Sequence, residues 1–249
     1  MRGLQGKNVI LTGGASGIGQ AISLRLGEGG CNVGIFDLNG DGANAVAEKI
    51  RAAGGTANGY ACDISDYAAV EACVTAFESD CGPVDGLVNN AGWDKSMPFL
   101  DTDLELWHKV VAINLYGPLN LCHVILKGMA ERGSGRVVNI SSDAGRVGSS
   151  GEAVYAACKG GLIAFSKTMS RELARKNITL NTVCPGPTNT PLLAEQGPKL
   201  VAALERAVPM KRVAEPEDYP GLVSFFLSDD ASYITGQTIS VSGGLTMHG

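Results

Sequence analysis

Val9-Ile10-Leu11-Thr12-Gly13-Gly14-Ala15-Ser16-Gly17-Ile18-Gly19 is the stretch that decides the fold. An apolar run suited to a buried strand feeds straight into a glycine-rich turn, and Ile18–Glu28 continues as a helical sequence. Glycines let a backbone turn sharply and approach a pyrophosphate without a Cβ clash. The helix that follows offers free N–H groups and the positive end of its dipole to the phosphates. A glycine-rich loop alone is a weak signal. The strand before it, the helix after it and an acidic residue closing the next strand make it a dinucleotide-site signal. That acid is Asp37, eighteen positions after Gly19. Its carboxylate can accept hydrogen bonds from adenosine ribose hydroxyls and would repel a 2′-phosphate. No Arg or Lys stands at 14–16 or 38–40 to bind such a phosphate, so the sequence predicts NAD as cofactor in preference to NADP.

Outward from this turn, short β-type runs alternate with helical stretches. The runs are Val9–Thr12, Val33–Asp37, Thr56–Ala61, Gly86–Asn89, Arg136–Ser141, Thr179–Cys184 and Thr238–Val241. They read as strands buried on both faces. Between them lie Ile18–Glu28, Gly42–Ala53, Ala68–Asp80, Leu104–Met129, Ala153–Arg175 and Glu217–Leu227. Strand-helix repetition predicts βαβ units, a parallel sheet and helices on both of its faces. No linker, repeat or low-complexity segment interrupts the pattern, so residues 1–249 are expected to form a single α/β domain. Residues 185–212 carry five prolines and an amphipathic piece. They read either as an excursion above the sheet that covers substrate or as a plain packing helix.

Composition narrows the function. The net charge of −5 gives no electrostatic reason to expect nucleic acid or an anionic membrane as partner. Seven cysteines with no CxxC spacing read as small apolar residues of a reducing compartment. Three scattered histidines, His108, His123 and His248, make a metal site unexpected. Met1–Lys7 has no apolar core of the signal-peptide kind, and no uninterrupted apolar run approaches the ~18 residues of a membrane span. A cytoplasmic protein is expected.

The chemistry lies further along. Tyr155 and Lys159 are four apart in a helical stretch and so share a face. A free phenol titrates near about 10, too high for a neutral-pH base, and a neighbouring cation lowers that value. Ser142, thirteen residues before Tyr155, closes a strand and could orient a substrate oxygen. Asp63 and Asn89-Asn90-Ala91-Gly92 also close strands, where open α/β sheets bind ligands.

With Asn114, Ser141-Ser142, Tyr155, Lys159 and Pro185-Gly186 added to the glycine turn and Asn89-Asn90-Ala91-Gly92, the chain resembles the short-chain dehydrogenase/reductase family over its whole length. The resemblance implies a Rossmann-type, doubly wound, seven-stranded parallel sheet of order 3-2-1-4-5-6-7. It also implies that Asn114, Ser142, Tyr155 and Lys159 act as a catalytic tetrad, with Asn114 holding a water that links Lys159 to solvent. Cofactor contacts are implied at Gly13, Ser16, Gly17, Ile18, Gly19, Asp37, Leu38, Cys62, Asp63, Ile64, Asn90, Ala91, Gly92, Tyr155, Lys159, Pro185 and Gly186. Val183 is implied to reach the nicotinamide carboxamide through its backbone, with Thr188 or Thr190 in support. A homotetramer with the Ala153–Arg175 helix in a dimer interface is implied as well. Two departures from the family pattern stand at Cys158, often Ser, and Ser242, often Asp.

The substrate implied by this resemblance is a secondary alcohol or its ketone. The stretches Asn89–Asp94, Ser142–Tyr155 and Ser240–Met247 are similar to the 2-hydroxycyclohexanecarboxyl-CoA dehydrogenases of alicyclic and aromatic acid degradation. These oxidise a ring hydroxyl β to a thioester carbonyl, giving 2-ketocyclohexanecarboxyl-CoA. Trp93, Ala144, Arg146, Glu152 and Leu192 are the expected substrate contacts. Arg146, Lys95, Lys211 and Arg212 are candidates for the CoA phosphates. Glu152 either faces substrate or caps the helix. A 3-oxoacyl-thioester reductase of fatty-acid type is the alternative, then a cyclic-alcohol or hydroxysteroid dehydrogenase working without CoA, then a non-catalytic nucleotide-binding protein.

Overall fold

The computed structural model describes residues 1–190, 193 and 198–247. Seven parallel strands form one sheet in the order β3-β2-β1-β4-β5-β6-β7. They are β1 Asn8–Thr12, β2 Asn32–Asp37, β3 Thr56–Ala61, β4 Gly86–Asn89, β5 Gly135–Ile140, β6 Ile178–Pro185 and β7 Thr238–Val241. Between β1 and β4 the winding reverses, and the crevice at such a switch point lies outside the carboxyl ends of the strands.

Side-chain alternation along each strand divides the core in two. Val9 and Leu11 of β1, with Val138 and Ile140 of β5, pack against α1 Gly17–Glu28, α2 Gly40–Ala52 and α9 Pro220–Leu227. Ile10 and Val137 point the other way, toward α3 Tyr67–Cys81 and α5 Gly117–Arg132 through Val74, Phe77, Ile125 and Met129. β1, β4 and β5 are buried throughout, whereas β3 and β7 are half-exposed. The expectation of strands covered on both faces therefore fails at the two edges, where a strand has a neighbour on one side only.

The expected helix Leu104–Met129 is three pieces: α4 Leu104–Val111, a π-helical turn Ala112–Tyr116 and α5. The extra residue of a π turn re-aims one side chain, and such turns gather at functional sites. Here the buried residue it carries is Asn114. The rod Leu104–Arg132 is long and apolar enough by composition to cross a membrane, but Leu121, Cys122, Ile125, Leu126 and Met129 are committed to the core. After β5 come α6 Ala144–Val147 and the long α7 Ala153–Leu173. Within residues 185–212 the structure describes a helix, α8 Pro198–Ala207. Leu192 lies outside the described residues.

Candidate active site

One cleft of about 1360 Å³ runs along the carboxyl ends of the strands. At one end stands the glycine turn. Gly13 has φ +67°, and a Cβ there would lie 2.7 Å from the Ala91 Cα. A Cβ on Gly19 would lie 2.0 Å from the Gly13 carbonyl oxygen, so only glycine lets α1 start this close to the turn. Asn90 stitches the turn to β4: its side-chain amide donates to the carbonyls of Thr12 and Gly13, both at 3.0 Å. The Thr12 hydroxyl accepts the Asn90 and Ala91 N–H groups at 3.1 Å each. Ser16 precedes α1 without a side-chain cap, which leaves the first-turn amides of a twelve-residue helix facing the cleft.

Asp37 closes β2 beside this turn. Its carboxylate accepts the Ala15 N–H at 3.0 Å and the Asn39 N–H at 2.9 Å. Two of roughly four lone-pair positions on a carboxylate remain for a ligand hydroxyl. These features, a cradle that a Cβ would fill and an acid at its rim, fit a dinucleotide with free ribose hydroxyls. Leu38, Cys62, Asp63 and Ile64 line the cleft next to Asp37. Asp63 also shapes its own turn, accepting the Ser65 N–H and hydroxyl.

The other end holds Ser142, Tyr155 and Lys159, all lining the cleft. A buried polar ladder sets α7 against the sheet. The Asn89 amide donates to Asn139 (2.8 Å), Asn139 to the Ser166 hydroxyl (2.8 Å), and Ser166 to the Leu162 carbonyl (2.8 Å). The Ser141 hydroxyl donates to the Lys159 carbonyl at 2.9 Å. A Cβ on Gly145 would sit 2.7 Å from the Lys159 carbonyl carbon, so α6 rests directly on α7. Asn139 and Ser166 were not legible as site-supporting residues. Only their shared burial in adjacent layers reveals them.

Lys159 is 2% exposed and donates to the Ile140 carbonyl at 3.0 Å. Burial lowers its ammonium to about 8. Its nitrogen stands 5.5 Å from the centre of the Tyr155 ring. Burial raises the phenol well above its usual range, and hydrogen bonding to Ser142 only partly offsets this. The expectation that Lys159 brings the phenol down is therefore corrected for the protein by itself. Desolvation dominates, and the populated form is the protonated phenol. The Ser142 hydroxyl oxygen accepts the Ala144 N–H at 3.1 Å, and its own proton faces the Tyr155 oxygen.

Asn114 is fully buried. Its amide donates to the Trp93 carbonyl (2.6 Å) and the Val110 carbonyl (2.9 Å), and its oxygen accepts the Trp93 N–H at 3.2 Å. The position a Cβ would take on Gly92 is 3.0 Å from the Asn114 oxygen and 3.3 Å from the Lys159 ammonium. The missing side chain of Gly92 thus keeps open the space between the two.

Pro185, Gly186, Thr188 and Thr190 line the cleft, with Thr190 across from Gly17. Val183 does not: it is fully buried in β6, and its carbonyl accepts the Ser141 N–H at 2.8 Å. Trp93, Ala144 and Glu152 line the substrate end. Glu152 is the N-cap residue of α7 and its side chain makes no capping hydrogen bond, so its charge stands both at the helix N-terminus and on the cleft wall.

Arg146 does not line the cleft. It donates to the Ser240 hydroxyl at 2.9 Å, and Ser240 in turn bonds the buried Asp143, so Arg146 fastens α6 to β7. Lys211 donates to the Arg206 carbonyl, Arg212 pairs with Asp218, and Lys95 lines a small side recess. Besides Lys159, the cleft is lined by Lys109, 3.9 Å above the Trp93 ring. It went unrecognised because the π turn brings α4 to the cleft.

A family model described as enoyl-(acyl carrier protein) reductase matches residues 13–246. The acetoacetyl-CoA reductase of Shinella zoogloeoides is 39% identical over 94% of this chain and 96% of its own length. Among solved structures, 3-oxoacyl-[acyl-carrier protein] reductase from Brucella melitensis superposes with a TM-score of 0.93 at 35% identity, covering 98% of this chain and 92% of its own. NAD+-bound xylitol dehydrogenase superposes with the same TM-score at 30% identity, over 98% and 100%. Strand order, glycine turn and relatives agree: the chain is an oxidoreductase of the short-chain dehydrogenase/reductase family.

Proposed function

We propose that the chain interconverts 3-oxoacyl and 3-hydroxyacyl thioesters with NAD(H) as hydride carrier. The observation that carries this reading is the placement of Tyr155, Ser142 and Lys159 together at the far end of a cleft that begins at Asp37, with burial raising the Tyr155 phenol. Two relatives named for reducing 3-oxoacyl thioesters support it. They favour this class over the ring-bearing thioester oxidation expected from sequence, which becomes one member of the same class.

NADH, when bound, supplies the hydride. The protein supplies the rest. Ser142 donates a hydrogen bond to the substrate carbonyl and fixes it next to Tyr155. Tyr155 gives its proton to the oxygen as negative charge develops there. Lys159, whose lowered value makes it a ready proton source near neutrality, restores the phenol. The small space that Gly92 leaves between the Asn114 oxygen and the Lys159 ammonium supports a relay through Asn114 as the route by which that lysine is reprotonated. In oxidation the same groups run in reverse, and Tyr155 must first lose its proton. Asp37 supports NAD(H) over NADP(H), because its charge meets a 2′-phosphate with repulsion.

A panel of initial rates tests the reading: acetoacetyl-CoA, 2-ketocyclohexanecarboxyl-CoA, cyclohexanone and a polyol, each with NAD(H) and NADP(H). The thioesters are expected to lead with NAD(H). Equal turnover of free cyclohexanone, or a clear NADP(H) preference, would overturn it.

A further inference from the structure

We propose that Asp143 is a positioning residue for Ser142: a chain of hydrogen bonds from Arg146 through Ser240 holds the Asp143 carboxylate against β7, and that hold sets where the Ser142 hydroxyl points. The proposal rests on the reading of Ser142 as donor to the substrate carbonyl and adds the groups that aim it. The segment after β5 is pinned at its backbone. The Ser141 N–H donates to the Val183 carbonyl at 2.8 Å and the Asp143 N–H to the Pro185 carbonyl at 3.0 Å, so Ser142 lies between two anchors on β6. The Ser142 oxygen takes the Ala144 N–H, which ties its rotamer to the start of α6. α6 has four residues, far fewer than the roughly 12–15 a helix needs to persist alone. Its geometry, and with it the Ser142 rotamer, depends on what its side chains grip.

Asp143 is the N-cap residue of α6, where an aspartate side chain ordinarily accepts amides of the next turn. It makes no such bond. Its carboxylate instead accepts the Ser240 hydroxyl proton, and the Ser240 oxygen accepts the Arg146 guanidinium at 2.9 Å. Three side chains thus close a loop over the N-cap of α6, Arg146 within it and β7. The Cys184 thiol of β6 registers both charged ends of that loop. Burial raises it, Asp143 adds to the rise and Arg146 opposes it. The second Asp143 oxygen is buried without a partner among the described residues, and the whole residue is 7% exposed. A carboxylate kept this way costs folding free energy. A local preference overridden at such a cost, one residue from Ser142, marks an arrangement kept for function.

Cutting the tether at Ser240 releases a charged acceptor at the N-cap. A carboxylate takes amide protons more strongly than a hydroxyl does, so the freed Asp143 competes with Ser142 for the amides of α6. The Ser142 oxygen then loses its fixed partner, and its proton samples directions that miss the substrate oxygen. A displacement of about 1 Å at a reacting group costs up to about a hundredfold in rate. The cradle for the dinucleotide, at Gly13, Gly19 and Asp37, lies at the other end of the cleft and keeps its own contacts.

The test is a double-mutant cycle on kcat for acetoacetyl-CoA reduction, with NADH affinity read by fluorescence. Ser240→Ala is expected to lower kcat about tenfold and to leave NADH affinity within about twofold of wild type. Ser240→Thr keeps the hydroxyl and is expected to hold kcat within about twofold of wild type. In a Ser142→Ala background, adding Ser240→Ala is expected to change kcat by less than about twofold, because the group it aims is gone. A loss of about tenfold that persists without the Ser142 hydroxyl would overturn the proposal, as would a Ser240→Ala kcat within about twofold of wild type. Arg146→Met interrupts the same chain at its other end, and it carries the cycle, with the same expected values, if Ser240→Ala does not fold. If the wild type leaves acetoacetyl-CoA untouched, the thioester reading fails, while the cycle on whichever ketone of the panel is reduced still decides the role of Asp143.

Discussion

Lys159→Met should make the protein more stable and much less active. The wild-type ammonium is 2% exposed, with one protein acceptor, the Ile140 carbonyl at 3.0 Å. Bringing it from 10.5 to about 8 corresponds to roughly 3 kcal/mol of folding free energy lost to burying the charge near pH 7. Methionine has a similar volume and carries no charge. It leaves the Ile140 carbonyl without its donor, which costs about 1–2 kcal/mol. The net gain is about 1–2 kcal/mol, or about 3–6 °C in Tm for a chain of this size. The pH dependence follows from the direction of the shift. Below about 8 both folded and unfolded lysine are protonated, and the penalty is complete. Between about 8 and 10.5 the unfolded chain holds a proton that the folded one has released, so wild-type stability climbs toward that of the variant. Thermal melts of the nucleotide-free protein at about pH 7 and about pH 10 read this directly. The variant should melt higher at the lower pH, with the gap closing at the higher one, while turnover falls by about a hundredfold or more. A variant that melts lower near neutrality, or a gap independent of pH, would mean that the buried Lys159 charge does not destabilise the fold.

Other perturbations probe other links. Asp37→Ser removes the acceptor for the Ala15 and Asn39 amides and the charge that discriminates cofactors. It should raise KM for NADH about tenfold or more and improve relative use of NADPH, and an unchanged NADH preference in initial rates would remove Asp37 from that role. Asn139→Ala strands Asn89 and Ser166 in a dry layer, so urea unfolding should show a loss of about 2–4 kcal/mol. A loss under about 0.5 kcal/mol would show that the ladder does not hold α7. Because burial raises its phenol, Tyr155 should stay protonated past about pH 10 in the nucleotide-free protein. An ultraviolet difference titration of wild type against Tyr155→Phe reads this, and a tyrosine that ionises near neutrality would contradict it.

What was legible in the sequence is what backbone geometry forces. A Cβ at position 19 would lie 2.0 Å from the Gly13 oxygen, so Gly19 announces the turn where the chain runs strand to helix. Asp37 follows from its place at a strand end, and the Tyr155–Lys159 face from helical period. The parts that were misread depend on distant partners. Arg146 looked like a phosphate ligand because it sits in the loop above the sheet. Its true acceptor, Ser240, comes ninety-four residues later. Lys109 was invisible because a π turn cannot be read from composition. The sign of the balance at Tyr155 was misjudged because a neighbouring cation is visible at spacing i, i+4, whereas desolvation is a property of the whole packed cleft. Thr56–Ala61 looked buried because strands of a parallel sheet usually are. It is an edge strand, and sequence does not state rank in a sheet.

The proposed function turns on one step, delivery of the Tyr155 proton to the oxygen of a 3-oxoacyl thioester. The direct measurement is acetoacetyl-CoA reduction followed by NADH absorbance, wild type against Tyr155→Phe, with NADH affinity measured on both by fluorescence. That step requires turnover by the wild type, a drop of about a thousandfold or more in the variant, and NADH binding within a few-fold of wild type. Comparable turnover by the two proteins would contradict it, as would a wild type that leaves acetoacetyl-CoA untouched.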